Sequence, residues 1–161
     1  MVQQVIAGGQ TGVDRAALDV ARGVGLPCGG WCPKGRLAED GVIPARYPLK
    51  ETPSDQYAQR TEWNVRDSDG TLVLTIGEPT GGTAQTIVCA GRMGKPHLVL
   101  DLSQQPTPET VLAWVTAHQL HVLNIAGPRE SKHPGVYAKA VVFLHQVLSL
   151  TQTQQVPSTG E

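Results

Sequence analysis

The sequence predicts an α/β protein: one doubly wound domain with a mainly parallel sheet of about five to seven strands and helices on both faces. Three observations predict it. Short apolar segments alternate with helical ones along nearly the whole chain. The run Thr71-Leu72-Val73-Leu74-Thr75-Ile76 is β-rich and mostly apolar, as a parallel strand covered on both faces should be. Three of the strands pass into glycine-rich turns that open helices. The 161 residues suffice for one sizeable core. Residues 1–150 form the predicted ligand-binding domain and 151–161 a flexible tail.

The first strand spans 2–7 and is expected to be central. It runs into Gly8-Gly9-Gln10-Thr11-Gly12, after which Val13, Ala17, Val20 and Val24 share one helical face. Gly23 and Gly25 end that helix. A strand–glycine–helix turn leaves N–H groups unpaired at the helix start, where an anion, most often a phosphate, is held. Gly8, Gly9 and Gly12 lack the Cβ atoms that would keep such a ligand off the backbone. The spacing matches neither G-x-G-x-x-G nor G-x-x-x-x-G-K-[ST], so neither standard nucleotide signature is present. Asp14 falls in the first turn, where a carboxylate favours the helix dipole or meets a ligand hydroxyl.

Residues 26–30 read as a short second strand or turn, and 31–41 as a long aperiodic loop. Within it Lys34 and Arg36 either close over an anion at the glycine turn or sit on a solvated surface. Cys28 and Cys32 have no second pair at zinc spacing, so they read as small apolar fillers and no metal site is expected. A brief strand within 47–52 precedes a helix capped by Ser54, with Asp55 in its first turn, that runs to about Arg66. It is expected to bury Ala58, Thr61 and Val65 and to place Arg60 and Asn64 on a shared face.

Asp67-Ser68-Asp69-Gly70 turns into the 71–76 strand, and a second glycine junction follows at Gly81-Gly82-Thr83. Thr83 caps the next helix or bonds a phosphate oxygen; Ala84, Ile87 and Val88 form its buried side. Residues 97–101 make another strand. Thr107-Pro108-Glu109 opens a helix with proline at its first position. Residues 121–125 form a fifth strand and end in a third junction containing Gly127, Pro128, Arg129, Glu130 and Ser131. The last helix places Val136, Ala140, Phe143, Val147 and Leu150 on one face. In open α/β sheets ligands bind outside the carboxyl ends of the strands. The three junctions should therefore gather on one edge and hold an anionic small molecule.

Composition narrows the partners. The net charge is −1 with no basic block, which argues against nucleic acid. No apolar run approaches the roughly 20 residues of a membrane helix, and the N-terminus has no signal-peptide pattern. Three cysteines with no disulfide pattern suggest the reducing cytoplasm.

Four motifs together carry a resemblance: Gly8-Gly9-Gln10-Thr11-Gly12-Val13-Asp14; Arg60-Thr61-Glu62-Trp63-Asn64-Val65-Arg66-Asp67-Ser68-Asp69; Gly81-Gly82-Thr83; and Asn124-Ile125-Ala126-Gly127-Pro128-Arg129-Glu130-Ser131. Across 2–148 the chain resembles the molybdenum-cofactor carrier proteins. These belong to a Rossmann-like superfamily that includes the cytokinin-activating Lonely Guy (LOG) phosphoribohydrolases. The resemblance implies binding of the molybdenum cofactor, a pterin dithiolene with a terminal phosphate. It also implies a homo-oligomer, dimer or tetramer, with molybdoenzymes or cofactor-biosynthesis proteins as possible exchange partners.

The LOG motif is P-G-G-x-G-T-x-x-E, with an arginine on the preceding helix. Matching Gly82-Thr83 to its Gly-Thr pair puts Arg60 at that arginine and Thr86 where the catalytic glutamate belongs. A threonine cannot supply the carboxylate, so a binding role is expected and no catalytic residue is assigned. Glu78 or Glu130 remain as substitutes from other loops. The expected carrier site uses the backbone of the three junctions, positive charge from Lys34, Arg36, Arg60 and Arg129, and Asp14 and Asn64 to read hydroxyl or pterin amide groups. The alternatives are a LOG-like nucleoside-monophosphate phosphoribohydrolase and a nucleotide-sensing module.

Overall fold

Five parallel strands carry the molecule, and their order explains where a ligand can sit. The computed structural model describes residues 1–153. The chain begins with β1 (Gln4–Ile6), α1 (Val13–Gly23) and β2 (Cys28–Gly29). Four two-residue strands follow: β3 (Trp31–Cys32), β4 (Leu37–Ala38), β5 (Gly41–Val42) and β6 (Lys50–Glu51). Then come α2 (Tyr57–Arg66), β7 (Gly70–Thr75), α3 (Gly81–Arg92) and β8 (His97–Asp101). The rest is α4 (Pro108–His118), β9 (Val122–Ala126) and α5 (Val136–Thr153).

The main sheet has the order β2-β1-β9-β7-β8 with every neighbour parallel. β1 is an interior strand, but the central place belongs to β9, the last strand of the chain. It enters between β1 and β7 with Asn124 opposite both Ile6 and Thr71. Every residue of β7 is buried, as its apolar run requires. Leu72, Leu74, Leu123 and Ile125 are wholly inaccessible. Each such side chain contributes about 1.5–3 kcal/mol relative to exposure. α1 packs on α5 and α5 on α4, while α2 packs on α3. Helices thus cover both faces.

Several local expectations are corrected. The 31–41 stretch is not structureless: β3 pairs with β6, and β4 and β5 form a tight hairpin. α2 begins at Tyr57, with the Ser54 hydroxyl accepting the Gln56 N–H before it at 3.0 Å. Its buried residues are Asn64 and Val65, while Ala58 is exposed. α3 buries Thr83, Thr86 and Ala90 and leaves Val88 half in solvent. A helix-facing threonine is tolerated there because the Thr86 hydroxyl donates to the Gly82 carbonyl at 2.9 Å. α5 runs on through Thr151–Thr153, past the expected start of the tail. The Thr151 hydroxyl bonds the Leu148 carbonyl, and the Gln152 amide bonds the Val24 carbonyl. The rest of the predicted tail, 154–161, lies outside the described residues.

Candidate functional site

β1 feeds a connection to one edge of the sheet and β7 a connection to the other, with β9 between them. Such a reversal opens a crevice beyond the carboxyl ends of the strands. The crevice here is a cavity of about 200 Å³. Its wall takes Gly8, Gln10 and Asp14 from the first junction, and Gly81, Gly82 and Thr83 from the second. The third junction gives Gly127, Pro128 and Arg129, and α2 gives Arg60 and Asn64.

The wall carries two kinds of chemistry. One is a carboxylate, Asp14, 6 % exposed. Its Oδ2 accepts the Gln10 N–H at 3.2 Å and stands 3.6 Å from Arg60 Nη1. Burial pushes its carboxyl up to about 6, although Arg60 and the Gln10 N–H pull the other way. Arg60 also donates to the Gly8 carbonyl at 3.0 Å and stacks over the Tyr57 ring. Gly8 is required because Arg60 lies across it: a Cβ there would come within 2.5 Å of Arg60 Cδ.

The other is the start of α3. Its first helical bond runs from Ala84 N–H to the Thr80 carbonyl, so the N–H groups of Gly81, Gly82 and Thr83 precede the ladder. A Cβ built on Gly82 meets nothing within 4 Å, and Gly82 is on the cavity wall. The Lys132 ammonium lies against Gly81, 3.1 Å from where a Cβ would be. Arg129 is half-exposed on the same wall. Helix dipole, ammonium and guanidinium give the wall groups that suit an anion.

At the first junction several N–H groups are already taken within the protein. Val13 N–H donates to the Pro128 carbonyl, Arg15 N–H to the Gln10 carbonyl, and Thr11 N–H to Gln10 Oε1. Gly9 and Gly12 make room for protein atoms, while Gly8 is on the cavity wall. Gly12 sits at φ 79, and a Cβ there would strike the Pro128 carbonyl; one on Gly9 would lie 2.6 Å from Leu49 Cδ1.

Other expected site residues are off the wall. Lys34 is exposed, and its N–H bonds the Ser54 carbonyl. The Arg36 guanidinium does not close over an anion. It donates to the carbonyls of Ile43, Leu49, Pro44 and Tyr47 at 2.8–3.2 Å, supplying donors to a segment with few of its own. Glu130 caps α5, accepting from the N–H groups of Gly135 and Tyr137. Thr11 and Ser131 both bind Glu39. Asn64 is on the wall, but its amide is paired at both atoms with the Trp31 backbone, at 2.8 and 2.9 Å.

The wall also holds residues the sequence reading did not select, among them Tyr57, Thr61, Asn124 and Lys132. Tyr57, Arg60, Thr61 and Asn64 follow helical spacing and mark one face of α2. Asn124 was visible as a polar residue inside an apolar strand; its Nδ2 donates to Thr71 Oγ1 at 3.2 Å. No cysteine lines this cavity. Cys32 is buried and Cys28 packs against the core, as fillers do. Among the described residues no His, Cys, Asp and Glu cluster could hold a metal ion, and no helix is long and apolar enough to cross a membrane.

A family model described as the "Circularly permutated YpsA SLOG family" matches residues 5–148. The chain is similar to a crystal structure named "Putative molybdenum carrier protein" from Syntrophus aciditrophicus SB. The two share 46% sequence identity and a TM-score of 0.88 over 91% of this chain and 95% of that one. No curated protein matches the chain.

Proposed function

The chain belongs to the circularly permuted YpsA SLOG family, and from that premise we propose that it carries the molybdenum cofactor, or its metal-free pterin form, as a bound cargo. One observation carries the reading: a single cavity wall holds both a helix start with cations beside it and a buried carboxylate. The α3 start, Lys132 and Arg129 suit a terminal phosphate. Asp14, on the same wall, suits ring N–H or amino donors. The volume, about 200 Å³, is below the roughly 300–1,000 Å³ of sites that enclose a drug-sized ligand. It suits a cargo gripped by part of its length and released from an open rim. With no thiol on the wall, the metal stays with the cofactor's own sulfurs. The similar solved structure is named a molybdenum carrier protein, which supports a molybdenum-bearing cargo. Assembly into a homo-oligomer, a cytoplasmic location and hand-over to molybdoenzymes or cofactor-biosynthesis proteins belong to this proposal.

Thermal shift and direct binding with molybdenum cofactor, molybdopterin, adenosine and guanosine monophosphate, and molybdate test it. A ligand that binds only the native state raises stability by RT ln(1 + [L]/Kd), so midpoints at equal concentration rank affinities. The two pterins should give the largest shifts and molybdate alone the smallest. A nucleotide that outranks both pterins would replace the reading with nucleotide sensing.

The runner-up is a phosphoribohydrolase, which Asp14 favours as a carboxyl raised to about 6 inside the cavity. Against it, Thr86 stands where the resembled enzymes carry their glutamate, with its hydroxyl committed to Gly82. Neither Glu78 nor Glu130 lines the cavity. Release of free base from adenosine or guanosine monophosphate is expected to stay at background between pH 5 and 8. Turnover that disappears in Asp14→Asn would establish the enzyme instead.

A further inference from the structure

Thr11 and Ser131 miss the cavity because they converge on something else. Glu39 and Asp40 form the two-residue tip between β4 and β5. Glu39 Oε1 accepts from the Thr11 hydroxyl and, at 3.1 Å, from the Ser131 N–H. Its Oε2 accepts from the Ser131 hydroxyl and lies 3.4 Å from Arg129 Nε. Two hydroxyls, a backbone N–H and a guanidinium around one carboxylate are the donors of an oxyanion receptor. We propose that Thr11, Arg129 and Ser131 form a second oxyanion subsite beside the cavity, and that Glu39 is its internal occupant, exchangeable for a phosphate or another tetrahedral oxyanion.

The hairpin is built so that its tip can leave. Its pairing is two residues long on each strand, and Leu37 and Val42 point into solvent. Its base is fixed by Arg36, which bonds four carbonyls beyond the hairpin. The tip is held by polar contacts: Glu39 on the subsite, the Glu39 N–H on Gln10 Oε1 at 2.9 Å, and Asp40 on Arg15 at 2.5 and 2.7 Å. Arg129 joins the two sites, since it is on the cavity wall and beside Glu39. An anion that reaches Arg129 from the cavity therefore competes with Glu39. Partial burial pulls the Glu39 carboxyl upward, but Ser131, Thr11 and Arg129 together hold it below the ordinary range, so it is an anion throughout the neutral region.

The subsite rests on the carrier reading only for the identity of its natural anion, so its test uses inorganic phosphate, with molybdate as a second arm. Thermal midpoints are measured against added phosphate, with chloride at matched ionic strength as the control. Glu39→Ala should melt below the wild type without phosphate. Phosphate should then raise it by about 3 °C or more beyond any wild-type shift, as expected near ten times its Kd. Glu39→Gln, which keeps the side chain's size, should also respond more than the wild type. Adding Ser131→Ala should remove the excess response. The excess should persist when Gly82→Trp fills the cavity; its loss there would place the phosphate in the cavity and overturn the subsite. Equal responses from wild type and both Glu39 variants would also overturn it. Loss of pterin binding by the wild type would sink the carrier reading alone.

Discussion

Gly82→Trp should weaken binding of the cavity ligand by at least about 100-fold, or about 2.7 kcal/mol, with the thermal midpoint within about 2 °C of the wild type. Gly82 is the second residue of α3 and is not held at positive φ. A Cβ there meets nothing within 4 Å, so the fold has room for a side chain. Gly82 is on the wall of the cavity of about 200 Å³, so an indole that turns inward takes up much of its space. Glycine is also a poor helix former, by up to about 1 kcal/mol against alanine, so replacement does not weaken α3. The contrast with Gly12 gives the control. A Cβ at Gly12 strikes the Pro128 carbonyl, and its φ of 79 disfavours any other residue. Gly12→Ala should therefore lose stability first. Titration of each variant with molybdopterin, beside a melt, separates the two cases. Undiminished affinity in Gly82→Trp would mean that the α3 start is no part of the site.

The same contrast shows what was legible in the sequence. The centre of β7 is apolar and all six of its residues are buried, and the strand–helix alternation implies a parallel sheet, so the layers could be read directly. Thr107-Pro108 marked the start of α4 because proline at the first helical position loses no hydrogen bond. Alternation does not say which strand is inserted where, and the central place of β9 follows from pairings between residues far apart in sequence. The glycines were visible, but not their neighbours. Gly8 makes way for Arg60, 52 positions away, and Gly12 for the third junction. Arg36 looked like a ligand cation because a loop arginine usually faces solvent or substrate. Its fork instead satisfies four carbonyls of a segment that lacks regular structure. Ser131 needed a partner 92 residues away, on a hairpin too short to announce itself.

Asp14→Asn should make the protein more stable above pH 6 and a poorer binder at the same time. In the folded chain the Asp14 carboxyl is raised from 3.8 to about 6, first by burial, so folding favours its protonated form. Between about pH 4 and 6 the native state holds a proton that the unfolded chain has released, and stability falls as pH rises. Above pH 6 both states are ionised, and the buried charge destabilises the fold by an amount set by a shift of about two units, or about 3 kcal/mol. Asparagine cannot ionise and keeps an acceptor for the Gln10 N–H. The variant should therefore gain about 2–3 kcal/mol at pH 7.5, with the gain shrinking towards zero near pH 4. Urea unfolding of both proteins at pH 4, 6 and 7.5 measures this. Molybdopterin affinity should fall by about tenfold or more, because a neutral amide accepts more weakly than a carboxylate and presents its own N–H groups to the ligand's donors. The two effects have one cause, a charge that is costly to bury and useful only to a guest. A variant that gains stability and binds as before would leave Asp14 without a role in the cavity. One that gains nothing at pH 7.5 would mean that Arg60, 3.6 Å away, already compensates the charge.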